Sequence, residues 1–299
     1  SSAASDVYKR QDVEALSRGI LFWRGFTHWI GGMGILVFVV MLVNTPDRSI
    51  NILKAEMPGP TVDKLVPKSK DTARTLYIIY TALTALEVIF LLLGGMSLFD
   101  SVVHALSTAG TGGFGAYNAS AANFSPYIQW VLTVFMFLFA INFNLFYLIL
   151  LGRMRDVFRN TEFRVYLAIV LVSVAVITAE IMPLYRTFSD SLRQAAFQVA
   201  SIISTTGFIT ADFTVWTPLS KVLLLGLMFV GGCAGSTAGG LKVSRVAILF
   251  KMMRRELRHT LRPRVVDVIK MDGRRLDEQT AHSVAVYFAL YILSIAVLI

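Results

Sequence analysis

The chain is poor in charge and in cysteine. Only 16% of its 299 residues are charged and 55% are hydrophobic, whereas a soluble domain carries about a quarter charged residues and under half apolar ones. The apolar excess is gathered in runs near the ~20 residues that a helix needs to cross a bilayer, which excludes an ordinary soluble globule. A single cysteine, Cys233, rules out an internal disulfide framework and a multi-cysteine metal site. In its glycine-rich apolar stretch it reads as a small buried thiol. The net charge of +9 does not point to nucleic acid. The lysines and arginines collect between apolar runs, as membrane orientation requires.

What is there is a series of spans and breaks. Ser1–Gln11 is small and polar, with no apolar core, so it is not a signal peptide. Its Asp6-Val7-Tyr8-Lys9-Arg10-Gln11 matches the translation of a transposon end used in sequencing libraries, and the segment is expected to be a non-native tail. Leu21–Val43 is the first span, with Trp23 and Trp29 at interfacial positions and Gly31, Gly32 and Gly34 permitting close helix packing. His28 within it is either an ion-linked group or, as histidines at depth more often are, hydrogen-bonded to a neighbour. Asn44–Ala73 is a proline-broken basic loop. Arg74–Leu93 is a second span, and Met96–Ser107 is too short to cross, so it fits a re-entrant half-helix. The loop Thr108–Gly115 follows, then a third span at Tyr127–Leu151.

After a basic turn the order starts again: span (Phe163–Met182), half-helix (Asp190–Ile203), loop (Ser204–Phe208) and span (from Pro218). The last span breaks at Gly231–Gly240 and resumes as a basic amphipathic helix over Leu241–Leu257; a further apolar run occupies Val284–Ile299. Gly113 and Gly207 hold matching places, each followed by phenylalanine. A repeat of this kind is sought before a fold is named, and in transporters it puts the substrate site at the repeat interface. The predicted divisions are 1–11 (tail), 12–43 (end of a first unit), 44–73 (cytoplasmic loop), 74–151 (second unit), 152–257 (third unit), 258–283 (cytoplasmic loop) and 284–299 (start of a fourth). Gly94–Pro126 contains no Lys or Arg, whereas the segments 44–73, 152–163 and 251–275 are basic, so both glycine loops are expected to enter from outside.

Non-helical backbone at membrane depth survives only when buried in protein or lining water. A half-helix aims its C-terminal partial negative charge at what lies beyond it, and glycine lets the following turn point carbonyls inward. Rings of carbonyls replace the hydration shell of a monovalent cation. The two loops lack acid, which argues against a divalent cation, and lack base, which argues against an anion. The rival reading of the glycines is tight helix packing alone. Gly231–Gly240, with five glycines, Ser236 and Thr237, exceeds what a kink needs and reads as a gate.

The repeated loops, GGCAGSTAGG followed by LKVSR, GGMGILV at Gly31–Val37 and AEMPGP at Ala55–Pro60 together resemble the Trk/Ktr/HKT superfamily of potassium transporters, most of all its bacterial Trk-type membrane subunit. The resemblance covers Ile20–Ile299. It implies an all-α polytopic membrane protein with repeated helix–pore loop–helix units in pseudo-fourfold array around a central pore. It implies potassium ligands from Thr111, Gly112, Gly113, Thr205, Thr206 and Gly207, and a gating loop containing Gly231, Gly232, Gly235, Ser236, Thr237, Gly239 and Gly240. It also implies no cofactor beyond potassium as substrate, a homodimer embedded in the lipid of the bacterial inner membrane, and a cytosolic nucleotide-binding regulatory subunit as partner. The departure is that only two filter loops are present, so this chain by itself is expected not to conduct. A sodium-selective or sodium-coupled relative is the first alternative, and whether uptake is symport is left open. A polytopic membrane enzyme is a remote alternative, because His28, Glu87, Asp100, His104 and Glu180 are scattered rather than convergent.

Overall fold

The computed structural model describes residues 12–32, 70–185, 187–262, 268–272 and 274–298. The expected tail, the second half of the first apolar run, most of the 44–73 loop and residues 263–267 of the basic 251–275 segment lie outside these residues. Among the described residues the regular structure is helical apart from one short hairpin. Helix α1 covers Arg18–Gly32, α2 Lys70–Leu93, α3 Leu98–Ala109, α4 Pro126–Phe139, α5 Phe143–Leu150 and α6 Met154–Arg159. The second half repeats the order: α7 covers Thr161–Ile181, α8 Phe188–Ile203, α9 Pro218–Val230 and α10 Val243–Leu261. Strands β1 (Lys270–Met271) and β2 (Arg274–Arg275) pair antiparallel, and α11 covers Glu278–Leu298. Among the described residues three helices are long and apolar enough to cross a membrane: Arg74–Leu93, Thr161–Leu184 and Glu278–Val297.

The repeat is written in the caps as well as in the apolar runs. Each half-helix opens with a hydroxyl residue three positions before an aspartate, which is a capping-box arrangement. The Ser97 hydroxyl accepts from Asp100 N–H and donates to Asp100 Oδ2 at 2.7 Å. Thr187 makes the same pair of bonds with Asp190. Each outgoing span opens with a hydroxyl N-cap and a proline in the first turn, Ser125-Pro126 for α4 and Thr217-Pro218 for α9. Proline there loses no hydrogen bond. A hydroxyl cap contributes about 1 kcal/mol, so four of them fix where the membrane-embedded helices begin.

The third span is not one helix. Where the sequence reads a continuous run over Tyr127–Leu151, α4 and α5 meet at 91°. No glycine or proline marks the break. Asn142 makes it, its side chain accepting from Asn144 N–H at 2.9 Å and so capping α5. The outgoing spans of both units are therefore broken, the second one at 231–242, where the expected break is found.

The core sits behind the loops. Tyr80 on α2 is fully buried, donates to Trp29 O at 2.9 Å and packs edge-on to Phe139 and Phe143. Tyr166 on α7 plays the same part in the unit at 152–257, donating to Phe137 O at 3.2 Å. The outward faces carry exposed Ile78, Leu86, Leu93, Leu171, Val172 and Leu225. Large apolar residues turned outward along a span suit lipid rather than water.

Candidate functional site

Helix α3 ends with Gly110 N–H bonded to Leu106 O; Thr111 N–H then turns back to Thr108 O at 3.0 Å and Gly112 N–H to Ser107 O at 2.8 Å. Helix α8 ends in the same way. Ser204 N–H bonds to Ala200 O, Thr205 N–H to Ile202 O and Thr206 N–H to Ser201 O, each at 3.0 Å. Both loops then enter the left-handed region twice, at Thr111 (φ 52°) and Gly113 (φ 67°), and at Thr205 (φ 59°) and Gly207 (φ 83°). For a β-branched residue this is a rare conformation that costs about 1–2 kcal/mol, and such strain persists only where surrounding contacts over-determine it.

Those contacts are specific. Ser107 and Ser201 occupy matching positions and are both fully buried. Phe114 N–H donates to the Ser107 hydroxyl at 2.5 Å, and the Ser201 hydroxyl donates to Phe208 O at 2.6 Å. Each serine thus ties the residue after the loop glycine back to its half-helix. The sequence reading missed both; aligning the half-helices position by position would have exposed them. The loops also meet each other, because a methyl group built on Gly113 would overlap the Thr206 carbonyl oxygen. Thr111, Gly112, Gly113 and Thr206 are buried, and Thr205 and Gly207 are half-buried.

Two histidines brace this arrangement. His28 is hydrogen-bonded to the Gly110 backbone and packs against Phe114 with ring centroids 4.7 Å apart, as expected of a histidine held by a neighbour. His104 Nδ1 bonds Asp100 O at 2.8 Å, and its ring stacks on Phe208 of the other loop. Asp100 accepts from Ser97 and Tyr117 at the N-terminal end of α3. Glu87 is fully buried on α2, whereas Glu180 is half-buried on α7. Of the five ionisable candidates, His104 and Asp100 are brought into contact, and among the described residues no group of three His, Cys, Asp or Glu is placed to hold a metal.

The glycine-rich excursion at 231–240 folds directly against both loops. The Thr111 hydroxyl donates to Thr237 O at 2.9 Å, and Gly239 N–H donates to the Thr205 hydroxyl at 2.7 Å. The two strained threonines are thus the residues the excursion holds. Gly231 (φ 70°) and Gly240 (φ 84°) lie back to back, each occupying the space where the other would carry a side chain. Leu241 N–H and Lys242 N–H bond to Phe229 O and Val230 O, closing the base of the excursion. Thr237 donates to Phe139 O at 3.1 Å, and Ser236 donates to Cys233 O within the excursion itself. Cys233 N–H bonds to Ala140 O at 2.9 Å, and Phe143 N–H to Gly235 O at 3.0 Å, so the excursion also locks into the break between α4 and α5.

Below it α10 carries Lys251, Arg254, Arg255 and Arg258. Lys251 Nζ donates to Lys270 O at 2.7 Å and Arg255 pairs with Glu278 at 3.1 Å, which joins the helix to the hairpin and to α11.

Comparison with known proteins places this geometry. A family model described as cation transport protein, TrkH, matches residues 4–299. The chain is 38% identical over 287 residues to the Trk system potassium uptake protein TrkH of Salmonella typhimurium, covering 94% of this chain and 59% of that protein. It is 33% identical to TrkG of Escherichia coli, again over 94% of the chain and 59% of the relative. It superposes on the crystal structure of the potassium transporter TrkH from Vibrio parahaemolyticus with a TM-score of 0.84 and 34% identity, covering 95% of this chain and 59% of that one. The chain therefore spans about three-fifths of the length of these relatives. These matches leave no ground for the enzyme alternative. With its repeated helix–loop–helix units and its similarity to these transporters, the chain belongs to the TrkH family of cation transport proteins.

Proposed function

We propose that this chain carries two arcs of a potassium-selective filter, and the barrier beneath them, in a potassium uptake transporter of the bacterial inner membrane. One observation carries the reading: the excursion at 231–240 bonds to the threonine hydroxyl of both glycine loops. A barrier that grips two filter arcs at once sits on the path between them.

Thr111, Gly112, Gly113, Thr205, Thr206 and Gly207 supply carbonyl ligands in place of water, as suits a monovalent cation. Potassium is the cargo, and the relatives named above are potassium uptake proteins. The helix ends behind the loops lend partial negative charge without a carboxylate. Gly231, Gly232, Gly235, Ser236, Thr237, Gly239 and Gly240 form the gate, and opening breaks the Thr111–Thr237 and Thr205–Gly239 bonds. The units at 74–151 and 152–257 are two of four around one pore, with their loops facing outside. The cytoplasmic basic surface at Lys251–Arg258 docks a nucleotide-binding regulatory subunit, and the whole is a homodimer in lipid.

The test is tracer rubidium uptake by the full-length protein in proteoliposomes, with competing ions. Potassium is expected to suppress uptake and equimolar sodium to leave it unchanged. Equal competition by sodium would replace this reading with the sodium-selective one. Uptake that is indifferent to Gly207→Ser would remove the filter from this loop.

A further inference from the structure

We infer that Glu162 is the latch of the gate: its carboxylate holds the excursion and the root of α10 to the inner end of α7, and opening requires its release. The inference rests on reading residues 231–240 as a barrier. Glu162 lies in the first turn of α7 and is 6% exposed. One oxygen, Oε1, accepts from Ala234 N–H in the excursion at 2.6 Å and from Ser244 N–H in the first turn of α10 at 3.2 Å.

Helix α10 needs such a partner. Its N-cap is Lys242, which has φ 78° and makes no side-chain cap bond. A helix starts with orphan N–H groups that a side chain, water or ligand must satisfy, and a lysine cannot accept a hydrogen bond. Glu162 supplies the missing acceptor from another helix. It stands at two helix N-termini, its own and that of α10, where negative charge is favoured. Lys242 lies near enough for the two charges to act on each other, and its ammonium donates to Ala238 O inside the excursion. The carboxylate thus fixes the excursion at Ala234 and at the exit, while Lys242 draws Ala238 toward the same point. One group spans three elements that must separate if residues 231–240 leave the path.

Cys233, adjacent to Ala234 and fully buried, reports on this directly. The test uses full-length protein in proteoliposomes with wild type, Glu162→Gln and Glu162→Ala. Labelling of Cys233 by a small cationic thiol reagent is quantified by peptide mass spectrometry beside rubidium uptake and thermal melting. The alanine variant is expected to raise the Cys233 labelling rate about tenfold or more, as for losing bonds to a charged acceptor. The glutamine variant keeps an acceptor but not the charge, so it is expected to fall between. Uptake is expected to rise in the same order. Unchanged labelling in both variants overturns the latch. So does a drop in melting temperature with labelling equal in the two variants. Graded labelling with unchanged uptake upholds the latch and instead overturns the barrier reading on which it rests.

Discussion

Gly113→Ala separates a filter that depends on its backbone from glycines that merely allow packing. Two costs fall on the new methyl group. Gly113 has φ 67°, and an alanine in that region costs about 1–2 kcal/mol. The methyl also overlaps the Thr206 carbonyl oxygen. That obstacle is backbone of the neighbouring loop, which Ser201 and Ser204 hold from behind, so it cannot swing away as a side chain would. Forcing an atom into such a site costs about 1–3 kcal/mol more. Gly95 is the control, with φ 85° and nothing within 4 Å of an added methyl group. Gly95→Ala carries only the first cost. The excess at Gly113 is about 2 kcal/mol, or roughly thirtyfold in the population of the native loop. In proteoliposomes, Gly113→Ala should lose potassium-over-sodium discrimination by a factor of that order, while Gly95→Ala keeps it and loses only a little thermal stability. If both variants discriminate as wild type does, or if Gly95→Ala is the more damaging, the reasoning fails.

Thr205→Val preserves shape but removes the acceptor of the Gly239 N–H bond; uptake should rise several-fold at a cost of about 1 kcal/mol, and uptake at or below the wild-type rate would count against the proposed gate. Ser201→Ala leaves Phe208 O without its donor at a fully buried site, so melting should fall by the equivalent of about 1–3 kcal/mol and ion discrimination should weaken, read by melting and competition uptake. The Thr187 hydroxyl, with Arg193 beside it, holds the Asp190 carboxyl below its usual value of 3.8. A depressed carboxyl contributes stability above the unfolded value that is lost as pH falls through the folded one. Melting should therefore drop on acidification below about pH 4, and Thr187→Ala should flatten that part of the profile.

Much of this was legible beforehand because apolar runs, glycine punctuation and basic connectors each report on the backbone directly. The half-helix and loop order, the break at 231–240 and the basic helix after it all follow from such signals. The 91° bend at Ala140–Asn142 was not legible, since its side chains are apolar on both sides and the maker is one asparagine acting as a cap. Its signal is a lone Asn in an apolar run, and Ser125-Pro126 and Thr217-Pro218 were equally available as start marks. Glu162 escaped because it adjoins a cluster of arginines and reads as one more connector residue. Only the fold brings Ala234 and Ser244 to it, from 72 and 82 positions away. Ser107 and Ser201 look like ordinary small helix residues until the loops fold back over them.

The interlock between the two broken spans has a consequence for how such a protein can change. Ala140 O accepts from Cys233 N–H, and Phe143 N–H donates to Gly235 O. Each interruption thus supplies the partners that the other leaves orphaned. In hydrocarbon an orphaned amide costs several kcal/mol, so straightening one span would strand the groups of its counterpart. The two defects form a single structural unit. A chimaera that exchanges one repeat for a relative's must carry both interruptions in register, and substitutions at 140–143 are expected to be rescued by changes at 233–235 rather than by neighbours in sequence.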